Sequence, residues 1–406
     1  MQNTRDEFIT VCKTKKIICF GAGKFLKNVK GFLDSECCKI DLLIDNNKEK
    51  WGGYEHDIKI DSPDILKKCS GDDYLILISS KNFAEEIREQ IDQQHPEKFV
   101  IFKWPLIIKE YKEFDDKLWQ ERIYAPCEHL YKHISLGMPE DKREAYMQEK
   151  RTLLSDKEKV ILPRTPVMIT TRCTLRCKEC SNLMPYYKNP KDYDADEIIM
   201  WIKNVCAAID EWICLELVGG EPFLYKDLEK VLAYVIKEEK IQQVEFTTNA
   251  SVMPKAEIIE LLKNEKIFIK ISQYPNLINP EKMLALLKEN RIRHELMENM
   301  RWSKTGKLTS RARTEEELQS QYLNCGQAKL CRTILNGKLF VCSKAASLME
   351  LGYVDNLEMV DLQEKNNLRK NIYDFLRLPY SEACNYCDIA SMDEEIVEPA
   401  VQMERE

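Results

Sequence analysis

The sequence predicts an α/β protein made of two strand–helix units followed by a cysteine-rich module. Short apolar runs alternate with segments whose apolar residues recur at three- and four-residue spacing, first between residues 16 and 91 and again between 165 and 297. Such alternation implies parallel strands joined by right-handed crossovers. From 315 onward the rhythm stops and cysteines take over, at 325, 331, 342, 384 and 387. The expected divisions are 1–104, 105–160, 161–314 and 315–406.

In the first division, Lys16–Phe20 reads as a strand, Gly21-Ala22-Gly23-Lys24 as a turn, and the residues through Leu33 as a helix. A second strand, Ile40–Ile44, ends in Asp45-Asn46-Asn47. A third, Tyr74–Ser80, precedes a helix over Ala84–Ile91. A glycine turn with an acid about twenty residues beyond it is the pattern of dinucleotide sites. Leu26, however, stands where the third glycine belongs, so the turn serves either nucleotide recognition or structure alone. The block FGAGK…IDNN…WGG…LILIS resembles small Rossmann-like domains attached to enzymes of surface-sugar metabolism. Residues 105–160 are charged and aromatic, with helical stretches at Asp115–Tyr124 and Asp141–Leu153, and are expected to bridge the two units. Cys127, His129 and His133 cluster there without a wider ligand pattern.

In the third division, Thr165–Thr171 reads as a buried strand running into a cysteine loop. Further strands are expected at Ile213–Val218, Val244–Asn249, Ile267–Gln273 and Arg293–Met297, with helices at 195–210, 226–240, 254–264 and 280–290.

That loop is the most informative stretch of the chain. Cys173-Thr174-Leu175-Arg176-Cys177-Lys178-Glu179-Cys180 offers three thiolates, the soft ligands that suit iron–sulfur chemistry. A 4Fe-4S cube has one iron more than that, so one iron keeps open coordination sites. A zinc or structural thiol site is the other reading and takes four ligands. One strand later come Gly219-Gly220-Glu221-Pro222, where paired glycines allow close backbone approach and a carboxylate suits a cation. The next two strands end in Thr247-Thr248-Asn249 and Ser272-Gln273.

Taken in order, these motifs resemble the radical S-adenosylmethionine (SAM) superfamily. The resemblance implies a partial (βα)6 barrel with its site at the C-terminal ends of the strands. It implies that SAM chelates the open iron and is reductively cleaved to a 5′-deoxyadenosyl radical that abstracts hydrogen from unactivated C–H bonds. By the same resemblance Gly219, Gly220, Glu221 and Pro222 hold the SAM ammonium, and Thr247, Thr248, Asn249 and Ser272 contact its ribose and carboxylate.

Cys325, Gly337, Cys342, Cys384 and Cys387 resemble the auxiliary-cluster modules called SPASM and twitch. They imply one further 4Fe-4S cluster on Cys325, Cys342, Cys384 and Cys387, with a four-cysteine zinc knuckle as the alternative. An Asn336-Gly337 hairpin turn would bring Cys325 and Cys342 together. Cys331 is left over as a core thiol, an alternative ligand or a hydrogen-atom donor. Tyr186 and Tyr187, just past Cys180, are candidate cavity residues. Arg311 and Arg313, in a basic segment from Arg301 to Arg313 with no acid, are candidates for binding a substrate phosphate.

Sixteen cysteines among 406 residues, seven of them in the two sets, fit a reducing, cytoplasmic setting better than a disulfide scaffold. A net charge of −7, no apolar run of membrane length and no signal-peptide core argue against nucleic acid, membrane or export. The expected function is hydrogen abstraction from a carbohydrate-derived substrate, phosphorylated or nucleotide-linked, leading to oxidation, epimerisation or dehydration. The expected electron source is a flavodoxin or ferredoxin. Modification of a peptide or protein is the alternative, and a non-catalytic metal scaffold the third reading.

Overall fold

The computed structural model describes residues 5–23, 26–35, 37–80, 83–95, 99–103, 116–274, 277–305, 308–355, 357–391 and 393–404. The expected turn residue Lys24, the start of the bridging segment (105–115) and residues 306–307 of the basic segment lie outside them. The chain divides into two compact units, Met1–Glu110 with Ala390–Glu395, and Tyr111–Ile389 with Ile396–Glu406.

The first unit contains α1 (Arg5–Cys12), β1 (Lys16–Phe20), α2 (Leu26–Ser35), β2 (Ile40–Ile44), β3 (Tyr54–Glu55), β4 (Ile58–Asp61), β5 (Tyr74–Ile78), α3 (Ala84–Gln94) and β6 (Val100–Lys103). Its sheet runs β3-β4-β2-β1-β5-β6, parallel except for the β3–β4 hairpin. Period-two alternation sorts β1 between two layers. Ile17 and Cys19 pack with Phe8, Leu26 and Leu33 on one face; Ile18 and Phe20 pack with Ile87, Ile91 and Phe99 on the other. The chain order reverses beside β1, the place where open α/β sheets take ligands. Here Asp45 accepts hydrogen bonds from the Ala22 N–H (2.7 Å) and the Asn47 N–H (2.8 Å), and Lys50 Nζ lies 3.2 Å from it. The acid of the dinucleotide-like pattern thus closes the glycine turn.

The second unit opens with α4 (Asp116–Trp119), α5 (Ala125–Ser135) and α6 (Glu140–Ser155). Cys127, Tyr131, Met147 and Leu154 pack on Ile161 and Ile213 of the following sheet, so this expected bridge belongs to the second unit. Lys150 Nζ lies 2.6 Å from Glu211, whose other oxygen accepts the Tyr131 hydroxyl, in buried surroundings.

There follow β7 (Ile161–Thr170), α7 (Ala195–Ala208), β8 (Glu211–Gly219), α8 (Leu228–Val235), β9 (Ile241–Thr248), α9 (Ala256–Leu262), β10 (Ile267–Ser272), α10 (Glu281–Glu289) and β11 (His294–Met297). Every residue of β8 is buried, as in a parallel strand covered on both faces. The C-terminal portion holds β12 (Trp302–Ser303), α11 (Glu315–Asn324), α12 (Gly326–Leu330), β13 (Thr333–Leu335), β14 (Lys338–Phe340), α13 (Ser343–Glu350), β15 (Met359–Asp361), α14 (Leu368–Leu376) and β16 (Ile396–Val397).

The main sheet runs β11-β10-β9-β8-β7-β13-β14-β15. Five parallel strands follow chain order, and pairings such as Thr170 with Gly219 and Ser272 with Met297 align their C-terminal ends. The six-stranded expectation needs correction. Among the described residues no parallel strand directly follows β11, and β12 pairs antiparallel with β16. The sixth parallel neighbour is β13, which joins the free edge of β7 through Ile334 and Val167. The residues after β11 are polar and basic and offer no apolar run to extend the sheet.

Candidate metal and cofactor site

β7 delivers the chain into the cysteine loop at the C-terminal edge of the sheet. Thr170 Oγ1 accepts from the Arg172 N–H (3.1 Å) and donates to Asp192 (2.7 Å), which fixes the exit of the strand. N–H groups then meet two of the sulfurs. Leu175 N lies 3.4 Å from Cys173 Sγ, and Gln402 Nε2 lies 3.3 Å from Cys177 Sγ. Cys180 is approached by the backbone N–H groups of Met184, Asn182 and Leu183. Burial pushes the Cys173 thiol up to about 12 and Cys177 to about 11, and raises Cys180. Cys173 lies in the electrostatic field of Cys180, Glu221 and Cys177. Metal coordination deprotonates such thiols, and N–H donors on sulfur suit a ligand carrying negative charge. Three thiols are the donor type that iron–sulfur clusters take. Among the described residues no group of three or more His, Cys, Asp or Glu side chains is arranged to hold a metal ion.

The paired glycines lie against the cysteine loop. Gly220 N donates to Thr170 O (3.1 Å) and Glu221 N to Arg172 O (2.9 Å), so the end of β8 runs against the cysteine loop. A Cβ on Gly219 would lie 2.0 Å from Thr170 O; on Gly220 it would lie 2.2 Å from Arg172 O and 2.6 Å from Cys173 Cβ. The close approach they permit is to the loop backbone. Glu221 is fully buried and accepts from Thr248 Oγ1 (2.7 Å), Asn249 N (3.0 Å) and Phe223 N (3.3 Å). Burial still pushes its carboxyl up to about 7 against those three donors. A carboxylate has about four acceptor sites, so one remains for a cation. Pro222 starts the short turn that Glu221 caps. Asn249 Nδ2 reaches Thr174 Oγ1 (3.2 Å) and lies 3.9 Å from Cys173 Sγ. Ser272 ends β10 beneath Tyr274.

Sequence reasoning missed Tyr274. Burial raises its hydroxyl against a lowering by Ser272, and it lies in the electrostatic field of Cys177, Cys180 and Cys173. Its ring meets Trp302 edge-on at 5.8 Å. An aromatic residue two positions past a strand end was the available signal. Also missed was a charged belt inside the sheet. Arg164 lies 2.8 Å from both Glu216 and Glu245, Lys270 lies 2.8 Å from Glu245, and Thr247 donates to Glu216. Thr247 is therefore engaged within the belt.

The thiols of the second cysteine set lie within one another's electrostatic field. Cys384 feels Cys325, Cys387 and Cys342, and Cys387 feels Cys325 and Cys342. Asn336 (φ 48°) and Gly337 (φ 73°) form the expected hairpin turn between β13 and β14. Cys331 is bridged through its backbone to Arg164 of β7 and lies in the field of Cys325, with burial raising its thiol to about 11.

The candidate substrate residues divide. Tyr187 is buried, while Tyr186 meets Tyr353 edge-on at 6.5 Å. Arg311 and Arg313, the candidates for a substrate phosphate, are both engaged within the protein. Arg311 grips Asp388 with two nitrogens at 2.9 and 2.8 Å. Arg313 donates to the carbonyls of Cys384 (2.7 Å) and Cys387 (2.8 Å) and lies 3.1 Å from Asp388. Both guanidinium groups shape the second cysteine loop.

Residues 167–304 match the Radical SAM superfamily, and residues 13–101 match the family described as C2185-like, N-terminal. The chain therefore carries a radical SAM catalytic domain, consistent with an oxidoreductase-type radical SAM enzyme. The GTP 3′,8-cyclase of Campylobacter lari is 33% identical over 90 residues, 21% of this chain and 27% of that protein. The GTP 3′,8-cyclase of Stenotrophomonas maltophilia strain R551-3 is 32% identical over 96 residues, 23% and 28% of the two chains. The chain thus matches little more than a quarter of the length of these relatives. Among solved structures, BtrN in complex with AdoMet and 2-DOIA matches at 12% identity and TM-score 0.39, over 57% of this chain and 95% of that one. Streptococcus suis SuiB bound to its precursor peptide SuiA matches at 16% identity and TM-score 0.28, over 53% and 44%.

Proposed function

We propose that this chain is a two-cluster radical SAM enzyme that oxidises its substrate after hydrogen abstraction. The observation that carries the reading is the meeting of two N–H-supported thiols of the cysteine loop, the Gly219-Gly220-Glu221 turn and the Thr248-Asn249 strand end at one edge of the parallel sheet. Cys173, Cys177 and Cys180 would hold a 4Fe-4S cluster, and Cys325, Cys342, Cys384 and Cys387 a second one. When bound, the first cluster with SAM supplies a radical able to take hydrogen from an unactivated C–H bond, and the second supplies an electron acceptor.

The chain's own residues bind and orient. Glu221 braces the end of β9 and keeps one acceptor site for the SAM ammonium, while Asn249 fixes Thr174 within the cysteine loop. Ser272 and Tyr274 form the wall beyond β10. Cys331 stands as the donor of a returning hydrogen should the outcome be epimerisation. The reductant would be a flavodoxin or ferredoxin and the setting cytoplasmic; among the described residues no helix is long and apolar enough to cross a membrane. The first unit is proposed as a Rossmann-like docking or structural domain, since Asp45 is engaged by its own turn.

The residue-level argument for a phosphorylated sugar was the basic segment, and Arg311 and Arg313 now have another role. A peptide or protein substrate is accordingly placed ahead of a carbohydrate one. The test is 5′-deoxyadenosine formation by anaerobically reconstituted protein with dithionite, alone and with peptide or sugar panels. The reading predicts SAM cleavage that is lost in Cys173→Ala and stimulated by one panel. Fully iron-loaded protein that leaves SAM intact would overturn it.

A further inference from the structure

Segment Ala400–Met403 lies antiparallel along the cysteine loop. Lys178 N donates to Val401 O (2.7 Å) and Met403 N to Arg176 O (2.8 Å), with Cys177 and Gln402 paired between them. The Gln402 side chain is held at both ends. Its Oε1 accepts from Arg176 N (2.7 Å), and its Nε2 donates to Ala400 O (2.6 Å) and to Cys177 Sγ (3.3 Å). Flipping the amide would set its NH2 against the Arg176 N–H and its oxygen against the Ala400 carbonyl and the sulfur, so the neighbours fix which end faces Cys177. Cys177 is 8% exposed, so the contact operates largely out of water.

We propose that Gln402 is a positioning residue for the first cysteine set: the strand around it clamps Arg176–Lys178, and its amide N–H on Cys177 sulfur raises the reduction potential of the cluster bound there. The proposal rests on the three-thiol cluster reading. Hydrogen bonds to cluster sulfurs are among the levers that set potential. The positive end of an N–H dipole favours the more negative, reduced state, and holding the amide rigid from both sides makes the contact permanent.

The experiment is an anaerobic redox titration, followed by EPR, of reconstituted full chain. It compares wild type with Gln402→Glu, which keeps an acceptor for Arg176 N but presents oxygen to the sulfur, and with Gln402→Asn, whose shorter amide does not reach. A chain whose second-set cysteines are all alanine isolates the first signal. Both variants are expected to keep their iron and show a more negative midpoint than wild type, with the larger shift in Gln402→Glu. An unchanged midpoint in an iron-loaded variant overturns the proposal; should Gln402→Glu lose its iron, Gln402→Asn decides. Failure of the cluster reading itself looks different, since wild type would then show no iron dependent on Cys173, Cys177 and Cys180.

Discussion

Gly220 shows how tightly the site is drawn at single atoms. Its missing side chain lets the end of β8 pass the Arg172 carbonyl and the Cys173 stem, both backbone-anchored and unable to move aside. Gly220→Ala is expected to cost about 1–3 kcal/mol or more through overpacking and to empty the first cysteine set while sparing the second. Thermal melts and iron analysis check this. Gly31→Ala is the contrasting case. Nothing lies within 4 Å of the added methyl in α2, so the variant should gain roughly 0.5–1 kcal/mol from helix propensity. Glu221→Gln retains shape but loses charge, and should weaken SAM binding at least tenfold in equilibrium dialysis of iron-loaded protein, with the fold intact.

At the scale of elements, loops are held by groups from distant parts of the sequence. Glu179, inside the first cysteine loop, accepts from the Thr305 N–H and hydroxyl at 3.0 Å, and Thr305 O accepts from Lys344, two residues past Cys342. One side-chain path thus joins the two cysteine sets. Arg313, 7% exposed, ties the segment before α11 to the last cysteine loop. Arg313→Met leaves Asp388 and two carbonyls short of a donor and should cost about 3–5 kcal/mol. Iron should be lost from the second set alone, with SAM cleavage retained. α14 is anchored at the other end of the sheet through Arg369, 2.7 Å from Asp210. Burial alone would raise the Asp210 carboxyl, but the Val160 N–H, Arg369 and Lys159 hold it below its usual 3.8. A depressed carboxyl stabilises the fold above its unfolded value and loses that contribution as pH falls through the folded one. Asp210→Asn should therefore flatten the decline in melting temperature below about pH 4, and an unchanged acid limb would contradict this.

Across the whole molecule, the parts written in short-range pattern were legible in the sequence. The alternation of apolar runs placed β1, β2, β5 and β7 through β11 within a few residues of their observed bounds, because buried parallel strands leave a continuous apolar signature. Cysteine spacing marked both thiol sets as candidate ligands. Tertiary partners were not legible. The basic segment read as free cations because Asp388 stands 75 residues beyond Arg313. Asp45 read only as the acid of a dinucleotide-like spacing because the turn it closes lies 23 residues back. The missing sixth strand was filled by β13, whose three residues carry no parallel-strand signal of their own. Gln402 lies 225 residues from Cys177, and no local pattern joins them.

The central claim is that one chain carries two separate cluster sites. Iron per chain after anaerobic reconstitution, in wild type and with Cys173, Cys177 and Cys180 all changed to alanine, tests it most directly. The account predicts about eight irons falling to about four, one cube for each cysteine set. About four falling to none, with zinc retained on Cys325, Cys342, Cys384 and Cys387, would contradict it, leaving a structural zinc site and no internal acceptor for the substrate's electron.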